Sequence, residues 1–307
     1  MLLLSIDIST TCPQAKNKMK TTGLFTTHRI EIEAEIGKPF KFIPFGDIHR
    51  DSDMHADNHW NEFLSYAKAQ KNALFLGMGD YTDGVSTSER IVLSDQGLHD
   101  TTRTTLQNVY KGVTKTLVNE LSFMRGRMIG MLGGNHYFQF NEGDTTDHIL
   151  AAALNTKFLG VCSFIRLSIR FKGKPDKRQS LDIFAHHGKG GGSSVGGTFN
   201  TIEKMTTTAV ADFYLMGHDH KRGCIPSTPR LQLTNGGSKG ELNVKERTPW
   251  IGRTGSFLKA YENGRISYNV DAARSPASLG WIEFEITPYR CRKDKRDTIE
   301  FMIRGTS

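Results

Sequence analysis

Five short stretches of this 307-residue chain end in side chains that can hold a metal ion or move a proton. They are "FKFIPFGDIH" with Asp47 and His49, "ALFLGMGDYTDG" with Asp80 and Asp83, "MIGMLGGNH" with Asn135 and His136, "LDIFAHHG" with His186 and His187, and "FYLMGHDH" with His218 and His220. A mixed set of imidazole, carboxylate and amide suits borderline divalent cations such as manganese, iron, zinc or nickel better than calcium. A carboxylate brings charge and two oxygens, so it is the natural bridge between two cations about 3.5–4 Å apart. Along an extended segment, residues i and i+2 point the same way. His218 and His220 can therefore face one ion pair with Asp219 turned away, and Asp47 and His49 can do the same around Ile48. One Asp-x-His or His-x-His arises readily by chance, and a lone Gly-Asn-His usually marks a turn. Five such clusters, each behind an apolar run, are a different matter.

Those runs must gather the clusters in space. Short continuous apolar runs bounded by glycine predict strands buried on both faces. Between them, Trp60, Phe63, Leu64 and Ala67 fall at helical spacing, as do Leu106, Val109, Val113, Leu117 and Leu121, and then Ile149, Leu150, Ala153 and Leu154. Alternating strands and helices predict a layered α/β fold. The loops at strand carboxyl ends line the binding crevice of such a fold, which would bring the five clusters together. "VCSFIRLSIRF" (161–171) alternates apolar and polar residues, as a half-exposed strand does, and "HRIEIEAEI" also alternates. After residue 226 the helix signal fades, and "ENGR" (262–265) reads as a turn between strand-like runs. The expected organisation is an N-terminal extension over 1–37, a main domain over 38–225, and a β-rich extension over 226–307 that packs on or continues that domain. No internal repeat is apparent.

A formal charge of +8 and a pI near 9.3 favour polyanionic partners only weakly. Cys12, Cys162, Cys224 and Cys291 are scattered with no Cys-x-x-Cys pair, which reads as reduced thiols rather than a disulfide framework or structural zinc site. The opening "MLLLSIDIS" is too short an apolar run for a secretory signal, and no stretch approaches a membrane span. The expectation is a cytoplasmic protein with no membrane partner.

In order, "GDIH", "GDYTD", "GNH", "HHG" and "GHDH" resemble the motifs of the calcineurin-like metallophosphoesterase superfamily, over roughly residues 40–222. The resemblance implies a four-layer α/β/β/α sandwich with two divalent cations at the strand ends, taken as manganese, with iron, zinc, nickel or magnesium as alternatives. It also implies that Asp47, His49 and His220 hold one ion, that Asp80 bridges, and that Asn135, His186 and His218 hold the other. Between His186 and His187 the sequence leaves the ligand open. His186 directly follows the strand and is favoured, with His187 beside it or on the substrate. His136 is then the outer proton donor or substrate-orienting residue, and Asp83 would hydrogen-bond it and fix its tautomer. The implied chemistry is attack of activated water on a phosphate ester, with His136 protonating the leaving alkoxide.

Two departures bear on substrate. Protein phosphatases of that superfamily carry an arginine after Gly-Asp-x-x-Asp and another before Gly-Asn-His, whereas Gly84 and Gly133 stand here. Without those two guanidinium forks, tight binding of a dianionic monoester is less well supported. Tyr137 also stands where many relatives have an acidic residue. "HHGKGGGSSVGG" (186–197) is either a flexible connection or a flap whose Lys189 and Gly190 approach a phosphate chain. "RCRKDKR" (290–296) is either a solvated charge run or a nucleic-acid contact. The reading that results is a phosphodiesterase or DNA nuclease acting on phosphate esters, nucleic acid among them. The rivals are a phosphomonoesterase on small molecules or phosphoproteins, and a non-catalytic scaffold that keeps the fold.

Overall fold

Apolar runs become strands here wherever both of their faces meet other side chains. The computed structural model describes residues 26–86, 90, 99–190, 194–235, 242–265, 268–271, 275–293 and 296–307. Its strands are β1 (Thr26–Ala34), β2 (Phe40–Phe45), β3 (Ala73–Gly77), β4 (Met128–Met131), β5 (Cys162–Phe171), β6 (Lys174–His186), β7 (Phe213–Met216), β8 (Arg222–Pro226), β9 (Arg230–Asn235), β10 (Leu242–Arg247), β11 (Trp250–Thr254), β12 (Glu283–Lys293) and β13 (Arg296–Thr306). The helices are α1 (Asp57–Ala69), α2 (Asp100–Leu121), α3 (Thr146–Ala153), α4 (Val195–Thr208) and the single turn α5 (Tyr268–Asp271).

Two sheets carry the architecture. One has the order β1-β5-β6-β7-β11-β8 and the other β13-β12-β2-β3-β4, while β9 and β10 form a separate ribbon. A shared core joins Phe42, Leu74, Leu76, Ile129 and Phe284 of the second sheet to Ile165, Leu167, Ile183, Ala185, Phe213 and Leu215 of the first. Burying this many aliphatic and aromatic side chains, each contributing about 1.5–3 kcal/mol, is what holds the sheets face to face. Trp60, Phe63, Leu117, Leu121 and Leu150 from α1, α2 and α3 cover the other face of β2–β4. Ile202 and Met205 of α4 pack on Phe184, Tyr214 and Ile251 of β6, β7 and β11. The fold is mixed α/β, as the alternation of runs predicts.

The register places the chemistry. β2, β3 and β4 run parallel, with Phe45 opposite Gly77 and Gly77 opposite Met131. β6 and β7 are also parallel, with His186 opposite Met216. All five motif loops therefore leave from carboxyl ends. They are then laced together, as Asp47 N donates to Gly79 O (2.9 Å), Ile48 N to Asp80 O (2.7 Å), and Gly217 N to His187 O (2.7 Å).

The two expected extensions supply strands to these sheets. β1 pairs with β5, β11 enters between β7 and β8, and β12 pairs with β2. The expected boundary at 225/226 falls inside β8. "ENGR" does turn, with Arg265 N donating to Glu262 O (3.1 Å), but no described strand flanks it and the next described element is α5. On α2 the buried face is Gln107, Thr114, Leu117 and Leu121, and Val109 is 51 % exposed. Its first half meets the Gly-Asn-His loop instead of the sheet, with Tyr110 stacked on Phe138 at 4.5 Å. Arg290 and Arg292 of the basic run continue β12 past Ile286, which sits opposite Phe40 at the start of β2. That is the end of the sheet away from the five loops. Among the described residues no helix is long and apolar enough to cross a membrane.

Candidate metal centre

Ligand-bearing atoms converge where the five loops meet. Asp47, His49 and His220 offer atoms within 4.8 Å of one another, as do Asp80, His187 and His218, and also His49, Asp83 and His136. His187 Nε2 lies 3.2 Å from Asp80 Oδ2 and 3.0 Å from Asn135 Oδ1, which is itself 2.7 Å from His218 Nδ1. His49 Nε2 stands 3.8 Å from Asp80 Oδ2, and His220 Nε2 stands 3.6 Å from Asp47 Oδ1. A six-coordinate ion with bonds of about 2.1 Å separates adjacent ligand atoms by about 3 Å, so this spacing suits a shell around cations.

Tautomers make the stronger test of fit. His49 Nδ1 pairs with Asp83 Oδ1 (2.7 Å), so it carries the proton and Nε2 holds a lone pair. That Nε2 is buried with no hydrogen-bond partner, an expensive condition for a polar atom unless a cation fills it. His187 Nδ1 donates to Met78 O (2.8 Å), which turns its Nε2 toward two oxygen acceptors. Only a proton or a metal ion satisfies that nitrogen. The residues fit a metal ion.

Burial explains the electrostatics. It is the largest influence on Asp47 and, with Asp80 beside it, pushes the carboxyl up to about 7. Burial opposes ionisation of Asp80 as well, but His187, with His49 and His136, holds it below the usual carboxylate range. Burial works against charge on His187 too, yet Asp80 and Asp47 lift it to about 9. His218 is pushed down to about 4 by burial and His187, and His220 to about 3 by burial and His49. Protons on Asp47 and His187 thus stand in for positive charge that metal ions would bring.

The backbone is bent to suit. Among the described residues, six non-glycines have positive φ, and five of them are Asp47 (49°), His49 (48°), Asp80 (50°), His218 (72°) and His220 (55°). Such left-handed conformations are strained and persist where the surroundings enforce them. Glycine at 134 is required by close approach, since a Cβ there would lie 1.9 Å from Asp80 Oδ1. That gap lets His136 N donate to Asp80 Oδ1 at 2.8 Å.

Two expectations need correction. The imidazole from "HHG" that faces the centre belongs to His187, not His186. On β6, Ile183 and Ala185 point between the sheets and Phe184 points toward α4. By that alternation His186 follows Phe184 outward, where its Nδ1 accepts from Gly188 N (2.8 Å), while His187 follows Ala185 inward. Asp83 orients His136 through its main-chain carbonyl, to which His136 Nδ1 donates at 2.6 Å. Its carboxylate is committed to His49 instead. Lys189 and Gly190 are both exposed, and residues 191–193 of that stretch lie outside the described residues.

Several supporting groups were not legible as such. Asp51 accepts from Asp83 N (2.6 Å) and Gly84 N (3.3 Å). Asp147, fully buried and pushed up to about 7 by that burial, accepts from Gly134 N (3.2 Å). Ser256 Oγ and Phe257 N both donate to Asp47 O, at 3.0 and 2.9 Å. An aspartate in a first helical turn, such as Asp147, signals a helix start and nothing more. Ser256 lies beyond the motif-bearing region entirely.

Two outcomes are expected. Gly134→Ala loses metal binding and destabilises the metal-free protein by about 1–3 kcal/mol through overpacking, measured by manganese titration and chemical denaturation. Because Asp47 near 7 and His187 near 9 hold protons below those values, a cation must displace them. Manganese affinity therefore tightens as pH rises from about 6 to about 9, with proton release largest at the acid end, read by calorimetry in buffers of different ionisation enthalpy.

No family model and no curated protein matches the chain. Among solved structures the chain is similar to one described as vacuolar protein sorting 29 from Cryptosporidium parvum, at 11 % identity and a TM-score of 0.30, over 87 % of this chain and 99 % of that one.

Proposed function

We propose that this chain is a dinuclear metal-dependent phosphoesterase of the calcineurin-like kind, acting on phosphodiesters, with nucleic acid as the leading substrate class. The observation that carries the reading is the buried, unpartnered Nε2 of His49, set among Asp80, Asp47 and His220. That nitrogen stands 3.8 Å from Asp80 Oδ2, too far for a hydrogen bond, at a place where a cation would satisfy it.

In this reading Asp47, His49 and His220 would hold one cation, Asn135, His187 and His218 would hold a second, and Asp80 would serve both. Bound there, the pair supplies Lewis acidity toward phosphoryl oxygens and lowers the pKa of water. The remaining work belongs to side chains around it. His136 is half-buried at the rim, its ring 5.0 Å from that of His49, and its Nδ1 proton is committed to Asp83 O. Its Nε2 is thus the atom that can carry a proton to a departing alkoxide. Asp83 links the two imidazoles, fixing His49 with its carboxylate and His136 with its carbonyl. The glycines at 84 and 133, in place of arginine, favour a diester, whose single negative charge needs fewer guanidinium contacts.

The test compares bis-p-nitrophenyl phosphate, p-nitrophenyl phosphate, and single-stranded and duplex DNA, each with added manganese. Preference for the diester and cleavage of DNA are expected. Monoester preference with intact DNA overturns the diester assignment, and tight manganese binding without any turnover favours the scaffold. Asp80→Ala should abolish metal loading and hydrolysis together. His136→Ala should lower kcat by about 10²- to 10⁴-fold while leaving manganese affinity near that of the wild type, as removal of a general acid does.

A further inference from the structure

The loop from Gly217 to Lys221 holds His218 and His220 in left-handed backbone, and something must enforce that shape. Asp219, between them, turns away from the centre and is almost buried. Its Oδ2 accepts from Thr198 Oγ1 (3.0 Å) and lies 3.4 Å from Arg253 Nε, while its Oδ1 accepts from Lys221 N (3.2 Å). Arg253 sits on β11 and is 0 % exposed. Its Nη1 donates to Gly217 O (2.8 Å) and its Nη2 to Thr198 O (3.2 Å).

One guanidinium thereby hydrogen-bonds the residue before the first imidazole and the first turn of α4, and pairs by charge, without a hydrogen bond, with the residue between the two imidazoles. A planar fork with fixed donors can hold three such points at once, and a lysine ammonium on a flexible stem cannot. Arg253 reaches no ligand atom itself, and Gly217 is where its hold meets the centre. A Cβ at 217 would lie 2.7 Å from Asp47 Oδ2, so the loop backbone runs directly against that carboxylate. His218 N donates to the same group at 3.0 Å.

Resting on the metal-centre reading above, we infer that Arg253 is a positioning residue for the cation pair. Acting through Gly217, Asp219 and Thr198, it fixes the backbone that presents His218 and His220. Asp219 is accordingly the anchor of the Gly-His-Asp-His loop, and α4 is tied to the centre through the same guanidinium.

The test titrates manganese calorimetrically into the metal-free full chain and its Arg253→Lys and Asp219→Asn variants, with melting of the metal-free forms as a check on folding. The wild type should take up two ions. Each variant should bind at least one ion about 10- to 100-fold more weakly, the loss typical of removing a group that orients a metal ligand. The double variant should be no worse than Arg253→Lys alone, because the two act as one unit. Excess manganese should restore most of kcat in Arg253→Lys, which separates weakened loading from damaged chemistry. If Arg253→Lys does not fold, Thr198→Val removes only the hydroxyl that bonds Asp219 and should weaken binding in the same direction. Wild-type affinity in the folded variants overturns the inference alone. A wild type that binds no manganese overturns the dinuclear reading, and the inference with it.

Discussion

Two carboxylates, Asp47 and Asp80, are fully buried in one cluster, and like charges in a low-dielectric interior resist ionising together. The cluster answers with protons. Asp47 keeps its own near neutral pH, and His187 holds a second one against Asp80. Each proton is also a contribution to folding with a definite sign. Asp47, raised from an ordinary carboxyl to about 7, stabilises the metal-free fold below about pH 4 and loses that contribution as pH climbs through 7. His187, raised to about 9, contributes below about 6.5 and fades toward 9. His218 and His220, lowered to about 4 and about 3, act in the opposite sense and weaken the fold as they protonate in acid. As those protons leave in alkaline solution the cluster loses their contribution, and divalent cations are the natural replacement for the lost positive charge.

The same demand shapes the main chain. Side chains from two sheets can converge on this cluster only if the loops turn sharply as they leave the strands. The left-handed residues sit at that turn, from Asp47 and His49 to His218 and His220. Strain of about 1–3 kcal/mol at each such residue must be offset nearby. The lacing between loops supplies the offset, including Ile48 N to Asp80 O and His218 N to the Asp47 carboxylate. His187 Nδ1 to Met78 O ties the two sheets at the centre itself. The site is therefore also the joint at which the sheets are fastened along their carboxyl edge.

Much of this was legible because strand alternation and motif order are local. "FKFIPFGDIH" and "FYLMGHDH" announce both a buried strand and the side chains at its end. The face of α1 was readable in full, since Trp60, Phe63, Leu64 and Ala67 are all buried. What failed depended on which way a residue leaves its strand, or on distant chain. His186 and His187 cannot be separated by type, only by the parity that sends Phe184 outward and Ala185 inward. Val109 fits a helical stripe yet stays exposed, because only the second half of α2 meets the sheet. Arg253 and Ser256 carry no motif and lie outside the stretch that resembles a known family.

That last point alters how the tail is to be understood. Composition after residue 226 reads as an appendage, but β11 is flanked by β7 and β8, and β12 pairs with β2. Asp47 O takes hydrogen bonds from Ser256 and Phe257, and His220 O takes one from Ser278 N at 2.9 Å. A chain cut at 225 would leave those two carbonyls without these partners and the Asp219 carboxylate without the Arg253 guanidinium, in an interior where an unpaired polar group costs about 1–3 kcal/mol. The five motifs name the side chains that cluster, and the tail holds two of their loops in place. The unit that builds the cluster is accordingly larger than the region its motifs mark.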